Sequence, residues 1–335
     1  MAITILNDRI KIGEYSLYEG YNGIYFDGTA AIKNTAITPV QASVSGYTSG
    51  GLNATPASDN TIDKFPFATN ANATDVGDLT VQRYGGGGQS STESGYTSGG
   101  VLQGDPQAVR NTIDKFPFAT NANATDVGDL TATKYYTVGQ SSFFSGYATG
   151  GTPTTNAIDK FPFATNANAT DVGDLTLGRY GGGGQSSTES GYTSGGISPP
   201  SSPSIKNEID KFPFATNANA TDVGDLTIAR TYCAGQSSTV DGYSSGGSPP
   251  FTNVIDKFSF ASNGNATDVG DLTLNRFEVC GQSSSTTGYT SGGRNPIASP
   301  IITNTIDRFP FAVNANATDV GDLTVIRYAS AGQQY

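Results

Sequence analysis

Apolar residues in this chain come in short runs that are bounded by Gly, Pro, Asn and Asp. β-Branched and aromatic residues dominate these runs, and no run keeps a helical spacing over two or three turns, so the pattern favours strands. Turn residues divide each repeated segment into four predicted strands. In the second segment these are GYTSGG from Gly95, NTIDKFPFA from Asn111, GDLTATKYY from Gly128 and VGQSSF from Val138. The pattern therefore predicts an all-β protein.

The strands belong to a tandem array. A single repeat cannot bury its own apolar face and needs its neighbours. Four short antiparallel strands repeated around an axis predict a β-propeller, here with six blades. The stretch IDKFPFATNANATDVGDLT begins, with small changes between copies, at Ile62, Ile113, Ile158, Ile209, Ile255 and Ile306.

The two ends of the array predict how the ring closes. The strand type that contains GQSS occurs a last time as RYASAGQQY at the C-terminus, whereas the first repeat, from Ser45, has no such strand before it. Joined together, these pieces complete the sixth blade and remove the open sheet edges. The small residues of this strand type, such as 85–88, suit six inner strands that converge on a narrow axis. Phe65 and Phe67 point to the same side of their strand and are expected to fill the gap between blades.

Residues 1–40 lie outside the array. Two or three short strands are predicted there from ITILNDRIKIG and GIYFDGTAAI, which are rich in Ile, Tyr and Phe and are broken by Asn-Asp and Gly. We interpret this segment as a separate N-terminal β arm for attachment or oligomerisation, and residues 41–335 as the propeller.

Composition argues against several kinds of partner. The formal net charge is −11 and no basic patch is present, so binding to nucleic acid or to an anionic membrane is not expected. The N-terminus has no signal-peptide pattern, and no apolar run is long enough to span a bilayer, so no membrane insertion is expected. Cys233 and Cys280 are expected to be free thiols that replace small residues in a packed wall.

Two acidic positions in each repeat are candidate metal ligands. Asp75 and Asp78, like Asp126 and Asp129, lie three residues apart near an Asn, and such oxygen ligands bind hard cations. Ca²⁺ requires roughly six to eight oxygens, however, and there is no EF-hand pattern and no bidentate Glu at a set spacing. We therefore favour a turn in which Asp and Asn side chains bond nearby backbone N–H groups and Gly77 adopts a positive φ.

An acid and a base also recur in every repeat, the acid in IDKF and the base after GDLT. A charge-assisted bond between them, within or between blades, would fix the register of the ring. Because equivalent pairs in every repeat are architecture, none is assigned a catalytic role. The set consists of Asp63, Arg83, Asp114, Lys134, Asp159, Arg179, Asp210, Arg230, Asp256, Arg276, Asp307 and Arg327.

No enzyme and no cofactor are predicted. Histidine is absent, and a catalytic site would need a unique pair of groups in one place. The N-A-T triplets match the glycosylation pattern, but they carry little weight without a secretory signal. The glutamates of residues 41–335 lie outside the repeat pattern and are scattered between loops and an inner strand, at Glu93, Glu189, Glu208 and Glu278.

Sequence variation is concentrated between the Gly-Gly pair and IDKF. The six segments there differ in length and sequence and are rich in Pro, Ser, Thr and Asn, so they are predicted loops. In a four-stranded blade all six lie at one end of the propeller. Their lengths alternate roughly between long and short, which predicts three raised loops. Two explanations stay open: a recognition face, or drift in unconstrained loops.

The order R…GQSS…GYTSGG…IDKFPF…GDLT…R over residues 41–335 resembles a kelch repeat, whose period is about 50 residues. The tryptophan of that repeat is absent, with Leu79 and its equivalents in its place. The strings IDKFPFA, NATDVGDLT and SGYTSGG are similar to repeat proteins of marine bacteriophages, particularly those of cyanobacteria, which are regarded as virion structural proteins.

This second resemblance implies a non-enzymatic virion component, a tail-fibre or head/tail decoration protein, made in the host cytoplasm. Residues 1–40 would then join it to other virion proteins, and it would occur as a homo-oligomer or in several copies. The alternative is a receptor-binding module that holds host-surface glycans through the variable loops or through tyrosines such as Tyr47. Tyr47 and its equivalents fit a core position equally well.

Overall fold

A computed structural model describes residues 43–335, apart from 56, 105–106, 202, 296 and 298–300, together with five strands between residues 3 and 33. The chain forms two compact units, Met1–Thr38 and Pro39–Tyr335. The first unit is an antiparallel sheet of five strands in sequence order, where the sequence predicted two or three. Each strand has only four to six residues, too few for the apolar pattern to separate neighbours. The strands are β1 (Ile3–Leu6), β2 (Arg9–Ile12), β3 (Tyr15–Gly20), β4 (Gly23–Phe26) and β5 (Thr29–Lys33).

The second unit is a six-bladed β-propeller of four-stranded antiparallel sheets, as the repeat pattern predicted. No helix occurs among the described residues, and so none that is long and apolar enough to cross a membrane. Blade 1 contains β6 (Ser45–Asn53), β7 (Ser58–Pro66) and β8 (Thr74–Asp78). Blade 2 contains β9 (Gly87–Ser90), β10 (Ser94–Ser98), a short ribbon of β11 (Val101–Leu102) and β12 (Ala108–Val109), then β13 (Thr112–Pro117) and β14 (Thr125–Asp129).

The remaining strands repeat this order. Blade 3 contains β15 (Val138–Ser141), β16 (Ser145–Thr149), β17 (Ala157–Pro162) and β18 (Thr170–Asp174); blade 4 contains β19 (Gly183–Ser186), β20 (Ser190–Ile197), β21 (Ile205–Pro213) and β22 (Thr221–Asp225). Blade 5 contains β23 (Ala234–Ser237), β24 (Asp241–Ser245), β25 (Val254–Ser259) and β26 (Thr267–Asp271); blade 6 contains β27 (Cys280–Ser283), β28 (Thr287–Ser291), β29 (Thr305–Pro310) and β30 (Thr318–Asp322). The last strands are β31 (Arg327–Tyr328) and β32 (Ala331–Gln334).

The C-terminal strand closes the ring, as predicted from the two ends of the array. β32 pairs antiparallel with β6, with Gln333 opposite Tyr47, and so supplies the innermost strand of blade 1. β31 pairs with the far end of β6. The backbone N–H groups of Val44 and Ser45 also donate to the carbonyl oxygen of Tyr335, over 2.7 and 2.8 Å. The first and last parts of the array therefore share one sheet.

The outermost strand of each blade lies earlier in the sequence than predicted. It is the TDVGD segment, Thr74–Asp78 in blade 1, and GDLT leads out of the blade instead of starting a strand. The pairing register shifts between Ile62 and Asp63, and opposite this bulge Gly77 has a φ of 155°. The turn predicted here is therefore wrong as an element. A bulged strand needs the same permissive glycine that a turn needs, which is why the two patterns look alike.

Apolar clusters fill the space between neighbouring blades. Phe65 and Phe67 of blade 1 pack against Tyr289, Ile306 and Leu323 of blade 6, as predicted for the phenylalanine pair, and equivalent clusters occupy the other junctions. The tyrosine of SGYTSGG belongs to this core. It is 2 % exposed in every blade, so it offers no face to a ligand.

The inner strands approach the axis so closely that only glycine fits at one level. A Cβ atom on Gly139 would lie well under 3.0 Å from the carbonyl oxygen of Gly88, and the same clash recurs from each blade to the next. The crowding predicted for these strands is therefore confirmed. The six glycines at this level are Gly88, Gly139, Gly184, Gly235, Gly281 and Gly332.

A circle of hydrogen bonds joins the innermost strands of the six blades. It lies where each innermost strand ends, just before the turn into the second strand of its blade. The backbone N–H of Ser90 donates to Oγ of Ser141 over 2.9 Å, and each blade donates to the next in the same way. The circle continues through Ser186, Ser237, Ser283 and Gln334, which returns to Ser90. It therefore ties all six blades together without using the outer strands.

Gly139→Ala should lower the free energy of unfolding by about 2 kcal/mol, because overpacking against a backbone carbonyl has no flexible neighbour to absorb it. The matched control is Gly264→Ala. A Cβ there meets nothing within 4 Å, and alanine already stands at the equivalent position in other blades, for example Ala71. Urea unfolding of the two variants checks this, and equal stability of the two proteins would contradict the axial constraint.

Candidate binding site at the channel mouth

The acid and the base that recur in every repeat form ion pairs, and each pair joins two blades. The base follows the outermost strand of one blade, and the acid lies on the third strand of the next. Arg83 Nη2 lies 2.7 Å from Asp114 Oδ2, and both side chains are 0 % exposed. Lys134 takes the same place with Asp159, with 3.2 Å between Nζ and Oδ2. The other pairs are Arg179 with Asp210, Arg230 with Asp256, Arg276 with Asp307, and Arg327 with Asp63.

Each buried aspartate also accepts hydrogen bonds from the threonine of GDLT. Thr80 donates its backbone N–H to Asp114 Oδ2 over 2.8 Å and its hydroxyl to Oδ1 over 2.7 Å. Arg83 in turn donates to the carbonyl oxygens of Gly99 and Thr112, each over 3.1 Å. Burial lowers the pKa of the Arg83 guanidinium, and Asp114 opposes that shift. The charges are paired and hydrogen-bonded, as buried charges must be, so this set is architecture.

The Asp-rich segments use their side chains within the fold. Asp75 Oδ1 accepts a bond of 3.1 Å from the backbone N–H of Gly77, the bonding predicted for this segment. The N–H of Asp78 donates to Oδ1 of Asn123 in the next blade over 3.1 Å, so the asparagine of N-A-T joins blades. Among the described residues no group of three or more His, Cys, Asp or Glu is placed to hold a metal ion. The same two bonds occur in the second repeat at Asp126 and Asp129.

The variable segments lie at the end of the propeller where the blade-to-blade connections enter the inner strands. Tyr84, which precedes the inner strand of blade 2, pairs with Val101 of the variable segment, and the following blades show equivalent bridges. Paired extensions occur, within the described residues, in blades 1, 2, 4 and 6. Paired extensions thus occur in four variable segments, where the lengths predicted three long ones, because the first two segments are both long.

The four glutamates of the propeller, all outside the repeat pattern, do not form a pair. Glu93 and Glu189 are exposed in turns between first and second strands, at the end opposite the variable segments. Glu208 lies on β21, 3.9 Å from Lys206 Nζ. Glu278 alone is buried, at 5 % exposure, beside the propeller axis.

A second circle of hydrogen bonds, here called the mouth circle, surrounds the axis at the variable end. In it each backbone N–H donates to the carbonyl oxygen of the equivalent residue in the preceding blade, for example Glu278 to Tyr232 over 2.8 Å and Gly181 to Tyr136 over 3.0 Å. Its members are Gly85, Tyr136, Gly181, Tyr232, Glu278 and Ala329. The circle frames one end of an axial cavity of about 150 Å³, which we call the channel.

Every residue of the mouth circle has a left-handed backbone. Gly85 and Gly181 adopt it freely, with φ of 66° and 68°. Tyr136, Tyr232 and Glu278 adopt it too, with φ of 52°, 56° and 54°, at a cost of roughly 1–2 kcal/mol each. Large side chains thus occupy strained positions where other blades carry glycine. Observed strain of this kind is concentrated at functional sites in proteins.

The side chains of the mouth circle break the sixfold pattern. Tyr136 and Glu278 come from blades that lie three apart in the ring, so they face each other across the axis, and the Tyr136 hydroxyl donates to Glu278 Oε1 over 2.8 Å. Arg294 Nε donates to the other carboxylate oxygen as an ion pair. Burial raises the pKa of the Glu278 carboxyl above its usual value, although Arg294 opposes the shift. Burial and Glu278 also raise the pKa of the Tyr136 phenol.

Aromatic rings surround this group. Tyr136 contacts Tyr232 with 4.8 Å between ring centroids, and Tyr180 lies 6.4 Å from both. These three rings are half-buried. Arg294 lies over the rings of Phe277 and Tyr328, at 4.9 and 4.6 Å from their centroids. The channel mouth, defined by these residues and Glu278, is therefore an aromatic surface with one ion pair between the buried Glu278 and the partly exposed Arg294, and its side chains differ from blade to blade.

The repeat pattern did not predict this site, although Glu278 stands out as an acid outside the repeat. The sequence does mark this site at the position four residues before the glutamine of each inner strand. That position is not conserved between repeats: around the ring it is Gly, Tyr, Gly, Tyr, Glu and Ala. Cys233 and Cys280 follow nearby and are free and buried, as expected.

A search of protein-family models finds none that matches the chain, and no curated protein matches its sequence.

Asp114→Asn should lower the free energy of unfolding by about 3–5 kcal/mol, because it leaves the Arg83 guanidinium buried without its counter-charge. Asp126→Asn, in the same blade, changes an exposed carboxylate that accepts one bond from Gly128 and should cost less than about 1 kcal/mol. Chemical denaturation of both variants checks this. Similar losses for the two would show that the buried pair does not hold the junction.

Glu278→Gln should gain stability relative to the parent protein as pH rises. An acid whose pKa is raised in the folded state stabilises that state below its unfolded pKa, near 4.5, and this contribution is lost as pH rises through the folded pKa. Glutamine binds no proton and loses nothing. Urea unfolding of both proteins from pH 4.5 upward measures the difference. If the difference in free energy of unfolding between the two proteins stays constant or falls as pH rises, the pKa of Glu278 is not raised in the folded state. The carboxylate would then be well solvated, or Arg294 would fully offset the effect of its burial.

Proposed function

We propose that this chain is a non-enzymatic structural protein of a bacteriophage particle, a tail-fibre or head/tail decoration component, that displays its propeller. One observation carries the proposal: the charged groups of the repeat are used between blades, while the variation collects at one end of a closed ring. A closed propeller with variable loops at one end is better suited to displaying a binding surface than to catalysis. The similarity of IDKFPFA, NATDVGDLT and SGYTSGG to phage repeat proteins supports the virion assignment, and kelch-like blades fit the motif order.

The N-terminal unit is the proposed attachment segment. It is a compact unit of its own, Met1–Thr38, outside the repeat. Through residues 1–40 the protein would join other virion proteins, as a homo-oligomer or in several copies. The net charge of −11 gives no support to a role in binding nucleic acid.

A second candidate function is recognition of a host-surface glycan at the variable end. The tyrosines of SGYTSGG cannot serve it, because they are core residues. The strained and half-buried aromatic residues of the channel mouth favour it instead. The two functions are compatible, since a displayed module is where a particle would carry a receptor-binding surface.

A truncated chain of residues 39–335 should keep a cooperative melting transition within a few degrees of the full chain, because the inter-blade clusters and pairs all lie within that range. We expect the full chain, but not the truncated one, to be incorporated when each is supplied to assembling particles. Immunogold electron microscopy with an antibody to the propeller, together with mass spectrometry of purified particles, measures this. Absence of the full chain from particles would reject the virion assignment, and incorporation of the truncated chain would reject the attachment role.

A further inference from the structure

We propose that the channel mouth binds one ring of a neutral saccharide, stacked on the aromatic surface of Tyr136, Tyr180 and Tyr232. The inference rests on the proposed display function and names the ligand class and the residues of its recognition site. It concerns a small part of the variable end, and the six loops around it would contact the rest of a glycan chain.

The aromatic surface is preorganised. Each of the three rings contacts the others, with centroid distances of 4.8, 6.4 and 6.4 Å, and Tyr136 is also held by its bond to Glu278. Rings fixed in this way lose little conformational freedom when a ligand is bound. Each of the three residues is only partly buried and so keeps some solvent-accessible surface. The C–H faces of a sugar ring are apolar enough to cover such a surface.

The charges at the mouth favour a neutral ligand. Glu278 is neutralised by Arg294, and its two oxygens are already engaged by Tyr136 and Arg294. A cation would meet the exposed guanidinium of Arg294, which is 36 % exposed, without a free carboxylate to bind. An anionic polymer would approach a protein of net charge −11. A ligand with hydroxyl groups and no charge avoids both costs.

Hydrogen-bonding groups lie beside the aromatic faces. Arg294 uses Nε for Glu278 and lies over the rings of Phe277 and Tyr328, and among the described residues none accepts a hydrogen bond from the other nitrogens of its guanidinium. The phenol hydroxyls of Tyr180 and Tyr232 are donors and acceptors of the kind that sugar hydroxyls match. An apolar face with a few polar groups at its edge is the usual composition of a small-molecule site.

The backbone gives an independent reason to expect a ligand. Tyr136, Tyr232 and Glu278 hold left-handed conformations that Gly85 and Gly181 reach without strain in other blades. The circle of backbone hydrogen bonds does not require these side chains, since blades with glycine close it equally, although Tyr136 also packs against the cluster that contains Tyr84 and Tyr328. Retention of large residues at strained positions is explained if their side chains bind something.

The variant that tests this proposal is Tyr232→Gly, because glycine is the natural occupant of the mouth circle in two blades and should leave the fold intact. The matched control is Ala329→Gly, at the same circle with φ of 54° but with only a methyl group to lose. Hexasaccharides of glucose, mannose, galactose and N-acetylglucosamine are the neutral probes. Choline and an alginate hexasaccharide are the cationic and anionic probes. Binding to the full chain is measured by isothermal titration calorimetry and saturation-transfer NMR, and melting temperatures verify folding.

We expect at least one neutral hexasaccharide to bind the parent protein, with affinity reduced about tenfold by Tyr232→Gly and unchanged by Ala329→Gly. Binding of no neutral probe at about 10 mM would overturn the proposal, as would equal affinity for the parent and Tyr232→Gly proteins. Binding of choline or alginate alone, with loss in Tyr232→Gly, would overturn the ligand class. A protein that joins particles but binds none of these sugars would refute this inference and leave the display function standing.

Discussion

A buried aspartate in each blade receives the threonine and the base that lead out of the preceding blade, and every junction of the ring depends on this contact. Asp114 is completely buried, so Thr80 and Arg83 are the groups that make its charge tolerable there. Arg83 follows the outermost strand of blade 1, whereas Asp114 lies on the third strand of blade 2. The contact therefore fixes the position of one blade against the next, and the pair of Arg327 with Asp63 carries the same geometry across the closure of the ring.

The axis imposes a second constraint, and it differs along its length. At the level of Gly88 no side chain fits, because each inner strand touches the next. At the mouth circle the backbone turns into a left-handed conformation and side chains are admitted, although at a cost in strain. All six blades must therefore carry glycine where the inner strands touch, whereas the residue at the mouth circle can differ between blades. This gradient explains why Tyr136, Tyr232 and Glu278 differ from Gly85 and Gly181 although the flanking strands hardly change.

Much of the fold could be predicted from the sequence because the same pattern of strands and turns occurs six times. The four strands of each blade, the number of blades and the closure by the strand around Gln333 depend only on period and turn residues, and these were predicted correctly. The outermost strand was misplaced, since the bulge at Gly77 and a turn use glycine for the same reason. The channel mouth was missed, because Tyr136 and Glu278 are 142 residues apart, and their departure from the repeat points to a shared site only when the closed ring brings them across the axis.

Symmetry also determines where a repeat protein of this kind can acquire a unique site. Equivalent residues on the outer strands lie in different blades and far from one another, so a change in one blade leaves the other five surfaces as they were. Equivalent residues next to the axis converge, and the aromatic rings of Tyr136 and Tyr232, from blades 3 and 5, are in contact. Changes at a few positions, here Tyr136, Tyr232, Glu278 and Arg294, therefore act together in one compact and asymmetric surface. The axis is the place in a sixfold array where a few substitutions from different blades act on the same ligand.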